Sequence, residues 1–142
     1  MLKDSIMNDI IQSMKNKDAL QKGVLQLVKA AIENFEIEKK RLPTTAEEIQ
    51  IVQREVKQTK DALAEAEKYN RLDLVDENKR KLDILYGYLP KQLNEDEVRH
   101  ICITLEIKQG MNMGEAMKIA MPVLSGKTEN ALVSKVVKEL IS

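Results

Sequence analysis

The residue types able to do covalent or metal chemistry are few in this sequence. His100 is the only histidine and Cys102 the only cysteine. Two positions apart on a helix, their side chains point roughly 200° apart, so the imidazole does not reach the thiol that it would have to activate. A zinc site needs three or four ligands, which one Cys and one His do not supply. His100 therefore reads as a surface or packing residue. Cys102, on the same stripe as Val98, Ile101 and Leu105, reads as a small buried apolar residue. The carboxylates Glu33, Glu36, Glu38, Glu65 and Glu67 sit among lysines in amphipathic stretches, and nothing in their pattern implies the burial that separates the pKa values of a catalytic pair. The strings G-x-x-x-x-G-K-[ST], G-x-G-x-x-G and G-x-S-x-G are absent. No catalytic residue, metal ligand or cofactor is assigned.

Binding chemistry has more candidates. Gly126-Lys127-Thr128 precedes a predicted helix, whose unpaired N–H groups together with a lysine could hold a phosphate, although a cap made by Thr128 accounts for most of the pattern. Lys127, Lys135 and Lys138 lie near one end or face of that helix, compatible with a local nucleic-acid contact. Arg54, Lys57 and Lys60 form a sloping row with Glu55 and Asp61 close by, a pattern that a solvated face also produces. Met111, Met113, Met117 and Met121 could line an adaptable groove, but their helical spacing favours core packing.

These residues must be positioned by helices. Ala, Leu, Lys, Glu and Gln dominate, and only 3 prolines and 5 glycines punctuate 142 residues. The spacing predicts a helix over 2–15 with Leu2, Ile6, Met7, Ile10, Ile11 and Met14 on one stripe. Asp18 caps a second, carrying Leu20, Val24, Leu27, Val28, Ala31 and Phe35 and stopped by Pro43. Thr45-Ala46-Glu47-Glu48 has the form of a capping box opening a long third helix, and the second and third are long enough to form an antiparallel hairpin. Asn70 suits the left-handed end of the third. Leu72, Val75, Leu82, Leu85 and Leu89 mark a fourth helix stopped by Pro90. Asn94-Glu95-Asp96-Glu97 opens a new unit of three short helices: one ending at Gly110, one over Met113 to Met121, and one over Leu132 to Ile141. The expectation is an all-α protein with an N-terminal helical hairpin or bundle of about four helices (1–90) and a small three-helix bundle (91–142).

Composition narrows the function classes. The 23 basic and 23 acidic residues balance, and they divide as 16 of each in 1–90 and 7 of each in 91–142, so neither part is basic in bulk. A nucleic-acid contact has to come from a local patch. No apolar run approaches the ~20 residues of a membrane span. The lone cysteine and the lack of an apolar leader after Met1 suggest a reducing, cytoplasmic setting.

Several strings together resemble a known family. NRLDLVDENKRKLDILYGYLPKQLNEDEV, from Asn70 to Val98, resembles the signature of the YqeY-like proteins, whose second part is similar to the tail domain of the B subunit of the tRNA-dependent amidotransferase. VLQLVKAAIENFEIEKK from Val24, the V-K-Q of Val56 to Gln58, and MGEAMKIAMPVLSGKTENALVSKVVKEL from Met113 support it. Tyr88-Leu89-Pro90 and the pair Met113-Gly114 with Gly126-Lys127 are its most specific pieces. The resemblance implies a helical first part joined to a three-helix tail and a link to tRNA, with transamidation chemistry residing elsewhere in the enzyme. A family label of carbon–nitrogen ligase with glutamine as amido-N-donor would then be inherited by analogy. Matched positions that could form a reduced site are Lys29, Lys57, Arg71, Gly114, Gly126 and Lys127. The chain departs from the pattern at Gln26 and Thr59, where arginines are expected, at Asn78 and Lys81, where acids are usual, and at Glu129-Asn130 in place of Asp-Gly. Two partners follow as expectations: tRNA for a non-catalytic binding module, or a partner enzyme for a protein-interaction adaptor.

Overall fold

The structure, a computed structural model, describes residues 2–142. Seven helices make up the fold among the described residues: α1 (Leu2–Lys15), α2 (Ala19–Lys39), α3 (Thr45–Lys68), α4 (Leu72–Tyr86), α5 (Glu95–Thr104), α6 (Met113–Leu124) and α7 (Asn130–Ile141). Among the described residues there is no strand, only one isolated bridge between Ser125 and Thr128. The chain divides into two compact units, one up to Leu89 and one over Pro90–Ser142.

In the first unit the most extensive packing joins α1 to α2 and α3 to α4. The expected hairpin of α2 with α3 is corrected accordingly: α2 touches α3 far less than either helix touches its true partner. The reason lies in the connections. α1 ends with Lys17 at φ 57°, the Asp18 N–H donating to Ser13 O at 2.9 Å and the Lys17 N–H to Met14 O at 3.3 Å, the bond pair of a Schellman turn. The Asp18 carboxylate then accepts the Gln21 N–H at 3.1 Å as the cap of α2, so one residue ends a helix and starts the next. α3 repeats the device. Asn70 has φ 55°, and the Arg71 N–H donates to Ala66 O at 2.9 Å, after which α4 begins with Arg71 at its N-cap position. Such short joints force neighbours in sequence to lie side by side. Between them α2 and α3 are separated by Lys40 at φ 55° and an extended segment.

The capping box of α3 lies one residue earlier than expected. Thr44 and Glu47 form it, Thr44 Oγ1 accepting the Glu47 N–H at 3.2 Å and Glu47 Oε1 accepting the Thr44 N–H at 3.0 Å. Glu47 also takes two hydrogen bonds from Arg41 at 2.7 and 2.9 Å. Arg41 and the Thr44 N–H hold its carboxyl down to about 2. Glu48, freed from capping, is buried and accepts the Leu2 N–H at 3.1 Å. The stripe expected on α1 is also narrower than read. Ile6 is fully buried and Leu2 and Ile10 pack on the core, but Met7, Ile11 and Met14 are exposed. On α2, Leu25 and Ile32 are buried and Leu27 is exposed. The core of this unit is completed by Val28, Val52, Val56, Leu82 and Leu85, each fully buried side chain contributing about 1.5–3 kcal/mol.

α4 ends at Tyr86 rather than running to Leu89, since Gly87, Tyr88 and Leu89 turn the chain with three-residue hydrogen bonds before Pro90. The Tyr88 hydroxyl donates to Asp9 of α1, and burial together with that carboxylate pushes the phenol pKa up.

In the second unit α6 and α5 both pack on α7. The Asn94–Glu97 capping box opens α5 with bonds of 2.8 and 3.2 Å. α5 stops at Thr104, not at Gly110. Glu106 takes φ 64°, the Ile107 N–H donates to Cys102 O at 3.1 Å and the Glu106 N–H to Ile103 O at 2.9 Å. Ile107 is thereby turned into the core, 3% exposed, and that burial offsets the cost of a left-handed glutamate. α6 runs through Pro122 in its last turn to Leu124. The core consists of Val98, Cys102, Ile107, Ala116, Ala120, Leu124, Val133, Val136 and Val137, with the four methionines 111, 113, 117 and 121 packed against it.

Candidate nucleic-acid interface

The Gly126-Lys127 motif sits in the loop between α6 and α7, and its backbone is committed to the fold. Gly126 is buried at φ 80°, a conformation that a side chain would strain. Its carbonyl accepts Gln92 Nε2 at 3.0 Å, and the same amide group donates to Pro90 O at 2.8 Å. The Leu93 N–H donates to Lys127 O at 2.7 Å, and the Lys127 N–H donates to Leu124 O at 3.0 Å. The Pro90-Lys91-Gln92-Leu93 segment and the Gly126-Lys127 turn, far apart in sequence, therefore hold each other. Only the Lys127 side chain is left to solvent.

Thr128 does not occupy the N-cap position expected of it. Thr128 is 3% exposed and belongs to the bridge with Ser125, while α7 starts at Asn130 with Glu129 in the N-cap position and no side-chain cap bond. An acid at that position opposes an incoming phosphate. Gly114 lies in the first turn of α6, where its N–H is taken by Asn112 Oδ1 at 2.7 Å. A Cβ on Gly114 would stand 3.1 Å from that oxygen, so the glycine eases a cap.

Lys135 and Lys138 are both exposed on α7, three residues apart and hence near one face. Lys135 is engaged: its Nζ lies 3.2 Å from Glu95 Oε1. Arg99 completes a network, reaching Glu95 at 3.2 Å, Asp96 at 3.1 Å and Glu139 at 3.0 Å. Lys135 lowers the Glu95 pKa, and Glu139 raises that of Arg99. Two cations thus face three carboxylates, so Lys135 stands in a field that repels phosphate. Of the three lysines expected at this site, Lys127 and Lys138 are exposed and outside that network.

In the first unit the matched basic residues do not converge. Lys29 on α2 pairs with Glu33 at 3.5 Å. Lys57 is exposed at mid-α3. Arg71 lies beyond the end of α3, 3.8 Å from Asp73, and the helical rise from Lys57 to the last residue of α3, Lys68, is by itself about 16 Å. Of the basic row, Arg54 and Lys57 are exposed, and Lys60 Nζ lies 5.9 Å from the centre of the Tyr86 ring. The departures at Thr59 and Asn78 are accommodated locally. The Thr59 hydroxyl donates to Glu55 O at 2.8 Å and Asn78 Nδ2 to Leu74 O at 2.9 Å, each four residues back on its own helix, so neither position leaves a buried charge without its partner.

His100 is exposed and Cys102 fully buried, and burial raises the thiol pKa. Among the described residues no group of three His, Cys, Asp or Glu side chains could hold a metal ion, and no helix is long and apolar enough to cross a membrane. Sequence reasoning missed Gln92 and the Arg99 network. Glu95 and Arg99 were visible as an i,i+4 pair; Gln92 carried no local signal, since its partner lies 34 residues away.

The family model described as Yqey-like protein matches residues 3–141. No curated protein matches the chain.

Proposed function

The chain belongs to the YqeY-like family, and from that premise we propose that it is a non-catalytic tRNA-associated binding module. Its residues 91–142 would act as the recognition tail that they resemble in the amidotransferase B subunit, with residues 1–90 as a helical companion domain. The observation that carries this reading is the presentation of Lys127: an exposed cation on a turn whose backbone is fixed by Gln92 and Leu93. A rigid mount lowers the ordering cost of a phosphate contact. Lys138 is the second contact. Lys135 contributes less, because Glu95 must release it first. Lys29, Lys57 and Arg71 are too dispersed to form a second centre. The setting is cytoplasmic, no cofactor takes part, and the carbon–nitrogen ligase label is inherited by analogy with the amidotransferase.

Binding of tRNA by the purified chain, measured at two salt concentrations, tests this. Affinity should fall with salt by a slope of roughly two phosphates, and Lys127→Ala with Lys138→Ala should lower it at least tenfold, while Lys127→Ala with Lys135→Ala lowers it less. Absence of binding at low salt, or indifference to all three lysines, rejects the module. Glutaminase or transamidation activity in the chain alone would overturn its non-catalytic character.

A second reading, an adaptor docking a partner enzyme, is favoured by the exposed apolar side chains of α1. Pull-down from nuclease-treated lysate separates the two, since an adaptor retains its partner without RNA.

A further inference from the structure

α1 carries two apolar seams. Leu2, Ile6 and Ile10 face the core of the first unit. On another face Met7, Ile11 and Met14 are 43%, 52% and 57% exposed. Asp4, Met7, Ile11 and Met14 follow the i, i+3, i+7, i+10 spacing with which one helix meets another in a coiled coil. Between Asp4 and Lys15 every exposed residue of α1 is uncharged. The one charged residue in that stretch, Asp9, receives the Tyr88 hydroxyl. Asp4 and Lys15 stand exposed at the two ends of the seam.

We propose that α1 pairs antiparallel with α1 of a second copy of this chain. Met7 of each copy packs on Ile11 of the other, and Asp4 of each reaches Lys15 of the other. A second copy fits because the seam is complementary to itself. In antiparallel packing position 4 comes level with 14 and 15, and 7 with 11, so the apolar layers coincide and each terminal acid meets a base under one two-fold axis. Parallel pairing would set Asp4 on Asp4 and Lys15 on Lys15. Asp4 and Lys15 also suit the dipole of their own helix, which is why exchange of the two charges is the informative test. A 14-residue helix gives a contact only about 21 Å long, so the dimer is weak, with a dissociation constant on the order of 100 µM.

Sedimentation equilibrium of the full chain from about 5 to about 500 µM covers that range. The expected result is concentration-dependent dimerisation, weakened at least tenfold by Ile11→Lys with helicity unchanged by circular dichroism. Met7→Lys serves the same purpose if Ile11→Lys loses helicity. Asp4→Lys and Lys15→Asp singly weaken the dimer by about two- to fivefold at low salt, and the double exchange restores it. A chain monomeric throughout, a dimer indifferent to both lysine substitutions, or a double exchange without recovery overturns the proposal.

Discussion

Gly126 and Lys127 divide one dipeptide between two tasks. The glycine supplies a left-handed, buried turn whose carbonyl is gripped by Gln92, and the lysine supplies a charge in solvent. Their substitutions should separate. Gly126→Ala forces a methyl into a left-handed site and should destabilise the second unit by about 1–2 kcal/mol, while Lys127→Ala should leave stability within about 0.5 kcal/mol and act on RNA affinity alone. Chemical denaturation of both variants, paired with tRNA binding, checks this; a Gly126→Ala protein as stable as the parent would show that the turn tolerates a side chain. Lys135 carries the opposite lesson. From spacing it is the equal of Lys138, yet contact with Glu95 places it inside an ion network, and a cation that must leave a partner gives less to a phosphate.

At the scale of elements, helix ends decide the architecture. α1, α2, α3 and α5 are each followed by a residue at positive φ: Lys17, Lys40, Asn70 and Glu106. Only Asn70 belongs to a type that announces such a turn, and it is the end that was read from the sequence. Gly110 drew attention as a stop for α5 because glycine favours left-handed backbone, and it does adopt φ 89°, but four residues after Glu106, where the chain actually turns. Glu106 tolerates its conformation because Ile107 is pulled into the core behind it. Glu106→Gly removes the strain while keeping both turn bonds, and should stabilise the second unit by about 1 kcal/mol, read as a rise in its melting temperature. No change, or a loss, would mean that the glutamate side chain contributes more than its backbone costs.

At the scale of the whole molecule, the two hydrophobic clusters have no residue in common. Leu25→Ala and Leu124→Ala each empty a fully buried site and should cost about 2–5 kcal/mol. Native-state hydrogen exchange should place the loss from the first chiefly in α1–α4 and from the second chiefly in α5–α7; equal losses across all seven helices would mean a single cooperative unit. Local chemistry determined much of this molecule in advance. The all-helical class, the bounds of α1, the Asp18 cap and the Asn94–Glu97 box were legible because period and capping act within four or five residues. The α3 box was misplaced by one residue because Thr44 and Thr45, Glu47 and Glu48 present the same chemistry twice, and burial of Glu48 against Leu2 chose between them. Tertiary structure alone decided that α1 pairs with α2 and α3 with α4, that Gly126 answers to Gln92, and that Lys135 is held by Glu95. Each of those outcomes depends on groups that packing brings together from distant positions, and no local spacing encodes which distant group will arrive.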